Sequence, residues 1–211
     1  MSNTVYNSMV VTGKSGLLTS FKFDMAAPRP YEIKQGFTGR VPDDELKLEM
    51  VSKIFTFWNV VRPPQEMYHR YFSLNGWVSG KQYGEDDEYN WFNWNMTNWN
   101  TKWDAHEIQV VGGDELPDGK AFWHIDFRTA NTPPTNVFKM LAIAYPKLTF
   151  NVKSIEEEGW GEEAIYTGGR MLHFKEWDIP KTHGEAEKVW SECPCTEKKW
   201  SYSDCEVQVN G

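Results

Sequence analysis

Proton chemistry in this chain has its first candidates in histidines beside carboxylates. Residues 121–130 alternate as a strand does: Phe122, His124, Asp126 and Arg128 share one face, and Trp123, Ile125, Phe127 and Thr129 the other. The Trp123/Ile125/Phe127 face is the one expected to be buried. His124 and Asp126 are then neighbours on the less apolar side, where a carboxylate–histidine pair can do general acid–base work. His106 stands beside Glu107, and His173 falls in another strand-like run. No nucleophile motif accompanies them, and an exposed polar sheet face is the ordinary setting for such residues, so no catalytic residue is assigned.

Thiolates and imidazole are the usual zinc ligands, which makes His183, Cys193, Cys195 and Cys205 a weak metal candidate. Cys193-Pro194-Cys195 sets two ligands one residue apart, and no second pair follows, so a tail bearing reduced thiols is the expected reading. Gly159-x-Gly161 and Gly168-Gly169 are not followed by the helix of a phosphate loop. No metal or other cofactor is expected.

The densest chemistry is aromatic. WFNWNMTNWNTKWDA, residues 91–105, holds Trp91, Trp94, Trp99 and Trp103 with asparagines between them. The spacing predicts a short helix over Trp91–Trp99 that breaks near Asn100 and gathers the large rings on one side. An exposed face of that kind is a large apolar patch, which monomers seldom tolerate. Trp94, Trp99 and Trp103 are therefore expected inside, with Lys102 reaching water and asparagine amides serving indole N–H groups and helix ends. The competing reading makes Trp91, Trp94, Trp99, Lys102 and Trp103 a stacking surface for bases or a partner protein. Glu156, Glu157 and Glu158, with Glu162 and Glu163, form a negative run that is solvated or meets a basic partner.

The 211 residues suit one domain with an elaborated insertion and a tail. A net charge of −8 argues against a nonspecific nucleic-acid binder and favours a basic partner surface. Aromatics at 15%, eleven of them tryptophan, point to an aromatic core or interface. The N-terminus lacks the pattern of a signal peptide, and no stretch approaches a membrane span of ~20 apolar residues. Three cysteines without a secretion signal suggest reduced thiols in a cytoplasm.

Residues 5–12 read as a strand and 16–25 as a helix with Leu17, Leu18, Phe21 and Met25 on one face. Residues 26–42 read as a loop. Residues 43–51 read as a helix capped by Asp43 or Asp44, with Leu46, Met50 and Val51 inward. Residues 53–61 are strand-like, 66–72 a helical turn, and 76–88 a polar loop. Two strands are expected at 106–111 and 121–130, joined by a glycine-rich turn. A helix follows Pro133-Pro134 with Val137, Met140, Leu141, Ala144 and Tyr145 as its stripe. A strand at 148–155, a hairpin about Gly168-Gly169 and a short helix at 185–191 complete the pattern. This order predicts an α+β fold: a ferredoxin-like split β-α-β, with an antiparallel sheet and helices on one face. The reading makes 1–178 one domain with a Trp-rich insertion at about 62–105, and 179–211 a C-terminal extension packed on it or flexible.

Four segments resemble the YubB ferredoxin-like family of phages and plasmids, the Api-like proteins. They are Asn3-x-Val5-x-Asn7-x-Met9-x-Val11-x-Gly13, the run Phe55 to Pro64, Asn98-Trp99-Asn100-Thr101-Lys102-Trp103-Asp104-Ala105, and Phe127 to Pro134. Asn100 replaces the family's usual glycine and Asn131 its usual tryptophan. The resemblance implies a split β-α-β fold and a mobile-element origin, and it implies no reaction. With no catalytic constellation, the expectation is a non-enzymatic accessory protein in the host cytoplasm that binds a host protein, such as a defence or nucleic-acid-handling factor. The alternatives are a nucleic-acid binder using the sheet face and the tryptophans, and a small-molecule or nucleotide enzyme with a His/Asp site.

Overall fold

In the computed structural model, the described residues are 3–32, 48–72, 77–78, 81–82 and 86–190. Strand β1 (Thr4–Lys14) turns Val5, Asn7, Met9 and Val11 inward at every second position. Helix α1 (Ser15–Met25) follows directly and buries Leu18, Phe21 and Met25. Leu17, expected on that stripe, is one position off it and exposed.

The stretch after α1 departs from the expected loop and helix. β2 (Arg29–Glu32) pairs antiparallel with β3 (Leu48–Val51), so the end of the predicted helix is a strand and Met50 faces out. Cross-strand pairing here overrides a short helical pattern. Residues 33–47, with the predicted caps Asp43 and Asp44, lie outside the described residues.

Residues 53–61 are not a sheet strand either. Phe55, Thr56, Phe57 and Trp58 are all buried. Four consecutive buried side chains suit a segment packed beneath a sheet rather than a half-covered strand. Thr56 caps a 3-10 turn at Phe57–Asn59 by accepting a hydrogen bond from the Trp58 amide. A second 3-10 turn at Gln65–Met67 leads into α2 (Tyr68–Tyr71). Within the predicted polar loop, β4 (Trp77–Val78) pairs with β5 (Lys81–Gln82).

Helix α3 (Trp91–Trp99) matches its spacing. Then come β6 (His106–Gly112), β7 (Glu115–Leu116), β8 (Lys120–Ala130), α4 (Thr135–Ala144), β9 (Thr149–Glu156), β10 (Gly161–Thr167), β11 (Arg170–Trp177) and α5 (His183–Trp190). Val137, Phe138, Leu141 and Ala142 form the buried face of α4, whereas Met140 and Ala144 point outward.

The main sheet runs β11-β10-β9-β1-β8-β6, with β7 beside β8 and every neighbour antiparallel. Four of its strands, β9-β1-β8-β6, give the split β-α-β arrangement: β1–α1–β6 and β8–α4–β9 are the two crossovers. The fold is α+β and ferredoxin-like, with its second sheet strand at β6. Residues 26–105 are additional to that frame, and the β10–β11 hairpin widens one edge.

Helices α1 and α4 share a face. Phe21 meets Phe150 at 5.6 Å and Trp123 at 5.9 Å between ring centroids, and Phe138 meets Phe127 at 6.5 Å. The inserted segment enters the same core, where Phe57 lies 5.8 Å from Phe127. Helix α5 instead lies over the opposite face of β9, where Lys153 Nζ donates to the Val189 carbonyl at 2.7 Å. No helix among the described residues is long and apolar enough to cross a membrane.

Candidate functional site on the open sheet face

Helix α3 sets the site's geometry. Asn90 caps it by accepting from the Phe92 amide at 2.9 Å, and Asn100 ends it in the left-handed region at φ 64°. Asparagine tolerates that conformation better than most residues. Trp94 and Trp99 are buried edge-to-face at 5.5 Å. The Trp99 indole donates to the Val61 carbonyl at 2.7 Å, a backbone acceptor rather than a neighbouring asparagine. The asparagines serve backbone and helix ends instead. Asn95 accepts from the Tyr71 hydroxyl at 2.8 Å and donates to the Lys102 carbonyl at 2.9 Å. Burial pushes the Tyr71 pKa well up, so the hydroxyl stays a donor.

The turn after α3 is fastened to the end of β8. Thr101 Oγ1 donates to the Ala130 carbonyl, Asn100 Nδ2 to the Pro133 carbonyl, and Thr132 Oγ1 to the Asn100 carbonyl. Asp104 is the second anchor. Its carboxylate accepts from Thr56 Oγ1 at 2.6 Å, the Phe57 amide at 2.7 Å and its neighbour's amide, Ala105, at 2.8 Å. Arg29 and Lys53 approach it at 3.4 and 3.8 Å. Burial lowers the Lys53 pKa, and the Asp104 charge works against that shift.

Held at both sides, residues 102 and 103 project outward. Trp103 was expected inside but is 44% exposed. Its neighbours Thr101 and Asp104 occupy the inward anchors, which leaves the ring to solvent. Lys102 Nζ stands 5.0 Å over that ring and 6.0 Å over Phe92, itself 40% exposed. Trp91 is half-buried and packs edge-to-face with Phe92. The stretch is thus divided: Trp94 and Trp99 are core, and Phe92, Lys102 and Trp103 are surface.

That surface continues across the sheet. Trp103 meets His106 at 6.1 Å between ring centroids, and His106 pairs across the ladder with Arg128. Arg128 is ion-paired to Glu107 at 2.6 Å and lies 5.1 Å over the ring of Tyr6, which in turn meets Trp190 at 6.0 Å. The result is a stripe of rings alternating with cations over the face opposite α1 and α4. A shallow recess of about 230 Å³ beside it is lined by Tyr6, Ser8, Gln109 and Asp126, among others.

His124 and Asp126 do adjoin, as their alternation predicted. His124 Nε2 lies 3.2 Å from Asp126 Oδ1 and 2.8 Å from Ser8 Oγ. One ring nitrogen faces both groups. The Ser8 hydroxyl is hydrogen-bonded to it, and Asp126 Oδ1 stands at ion-pair distance without a hydrogen bond. His173 lies apart on β11, near Glu163 at 3.8 Å.

The acidic run is also divided. Glu156 is 1% exposed, and its carboxylate accepts from the Glu158 amide, closing the β9–β10 turn. Glu157 accepts from the Thr4 amide at 3.1 Å, which leaves Glu158 exposed. Three consecutive glutamates therefore make no common patch. Cys193, Cys195, Cys205 and the His183 side chain lie outside the described residues. Among the described residues, no group of three or more His, Cys, Asp or Glu is placed to hold a metal.

Asp104 and Tyr6 had no predicted role. Tyr6 was legible as an outward position of β1, whereas the Asp104 anchor joins three segments distant in sequence.

No family model and no curated protein matches the chain. It is similar in fold to the crystal structure of a protein api92 from Yersinia pseudotuberculosis, of family model DUF1281. The TM-score is 0.56 and the identity 8%, over 85% of this chain and 99% of that one. At that identity the likeness is one of fold.

Proposed function

We propose that this chain is a non-enzymatic binding protein of the YubB-like group, of phage or other mobile-element origin. It acts in the host cytoplasm by engaging a host protein that serves in defence or nucleic-acid handling. The observation that carries the reading is the stripe of Trp103, Arg128 and Tyr6, because exposed tryptophan, tyrosine and arginine are the residues on which protein interfaces concentrate their energy. The net charge of −8 favours a partner with a basic face. The split β-α-β sequence resemblance supplies the mobile-element setting. Affinity capture from host extract over a range of salt concentrations tests it. A specific protein retained at low salt is expected, and no retained protein at any salt contradicts it.

A second reading, binding of single-stranded nucleic acid, is favoured by the cations standing on rings at Lys102/Trp103 and Arg128/Tyr6. The Arg128–Glu107 ion pair and the acidic balance oppose it. Titrating tryptophan fluorescence with single-stranded DNA and RNA at low salt separates the readings: saturable quenching supports nucleic acid, and its absence removes this alternative.

A further inference from the structure

Where residues 178–182 and α5 fold back over β9, β10 and β11, they enclose a cleft of about 450 Å³, the size range of small-molecule sites. It lies beyond the ring stripe, and its floor is Trp177. The indole donates to the Gly159 carbonyl at 2.9 Å and lies against Gly161, where an added Cβ would come within 2.7 Å of the ring. The floor is therefore fixed before any ligand arrives.

Four lysines reach this cleft in a chain whose net charge is −8. Lys153 and Lys175 hold their ammonium groups 5.8 and 6.0 Å over the Trp177 ring. Lys181 and Lys188 also line the cleft, on the link and on α5. Three acids also line it, and two already have partners inside the fold. Glu163 faces Lys175 at 3.7 Å and His173 at 3.8 Å, and Glu185 accepts from the Lys181 amide at 2.8 Å. Asp178 is the third. Lysines outnumber carboxylates four to three in this lining, and among the described residues neither Lys181 nor Lys188 is held in an ion pair, whereas Lys175 is paired with Glu163.

We infer that the cleft between α5 and the β9–β11 edge is a binding site for a small phosphorylated molecule, with Lys181 and Lys188 gripping the phosphate beside the fixed Trp177 ring. Ammonium groups on flexible stems suit phosphate as point charges and do not require the fixed fork of an arginine. The proposal is independent of the host-protein reading, because Lys181 and Lys188 lie outside the ring stripe.

Calorimetric titration of the full chain with inorganic pyrophosphate tests it. Saturable binding is expected at about 50 mM salt and marked weakening at about 500 mM, where screening shortens to a few ångströms. Reversing both outer charges, K181E with K188E, should weaken binding about tenfold or more, while K181R with K188R retains it. Both positions are exposed, so far-UV circular dichroism of either variant should match the parent. Absence of saturable heat at low salt, or equal affinity in the charge-reversed variant, overturns the assignment.

Discussion

Trp99 and Trp103 are four positions apart, yet they meet opposite surroundings. Trp99 is enclosed by Phe57 and Trp94, and its indole hydrogen-bonds Val61. Trp99→Ala should therefore cost about 3–5 kcal/mol of stability, the range for a buried large aromatic, measured by denaturant titration. Asp104 collects two hydrogen bonds and two cations from distant segments and a third hydrogen bond from adjacent Ala105, and its loss strands those donors. Asp104→Ala should cost about 3–5 kcal/mol by the same measurement, as expected when one partner of a buried charge cluster is removed. Glu162 is a different case. Burial first, and then Glu176, raise its pKa above the ordinary 4.5, with Lys139 opposing. A carboxyl with a raised folded-state pKa holds its proton longer folded than unfolded, so its contribution to stability falls as pH rises from 4.5 towards the raised value. Glu162→Gln should gain stability over the parent across that window, keep the gain at neutral pH, and show no difference below 4.5. Parallel melting curves in acid and neutral buffer check it.

Elements with an uninterrupted local pattern were legible in the sequence. α3 has indole spacing and an asparagine at each end, β8 has strict alternation, and α4 opens at Pro133-Pro134 and stops before Pro146. The β10–β11 hairpin turns on two glycines with positive φ. Misreadings fell where tertiary contacts override local preference. Residues 53–61 carry aromatic and β-branched side chains, but Asp104 takes the Thr56 hydroxyl and the Phe57 amide, and the chain curls into a 3-10 turn beneath the sheet. Residues 48–51 look helical until β2 is brought alongside. Of the site, the His124–Asp126 adjacency followed from alternation within β8. The ring stripe did not, because it joins β1, β6, β8, α5 and the turn after α3, and their side-by-side placement exists only after folding. The exposure of Trp103 was hidden for the same reason: its outward direction depends on Thr101 and Asp104 finding partners elsewhere.

At the scale of the molecule, the inserted segment is part of one core with the sheet. Phe55 and Phe57 pack with Phe127, Trp99 packs on Phe57, and Phe127 packs with Phe138 on α4. Unfolding of the core should therefore be cooperative, with tryptophan fluorescence and far-UV circular dichroism giving coincident transitions; a separate early loss of the tryptophan signal would divide insertion from sheet. One face of the sheet is closed by α1 and α4, and the other presents rings and cations beyond the cover of α5. We propose that this second face recognises a host protein and that Trp103 serves recognition rather than folding. The most direct measurement is the affinity of Trp103→Ala for the captured host protein, set beside its stability in the same preparation. Stability should stay within about 0.5 kcal/mol of the parent, as for an exposed position, while affinity falls by about 2 kcal/mol or more, as for an interface hot spot. Unchanged affinity, or a loss of stability comparable to that of Trp99→Ala, would rule out a recognition role for Trp103.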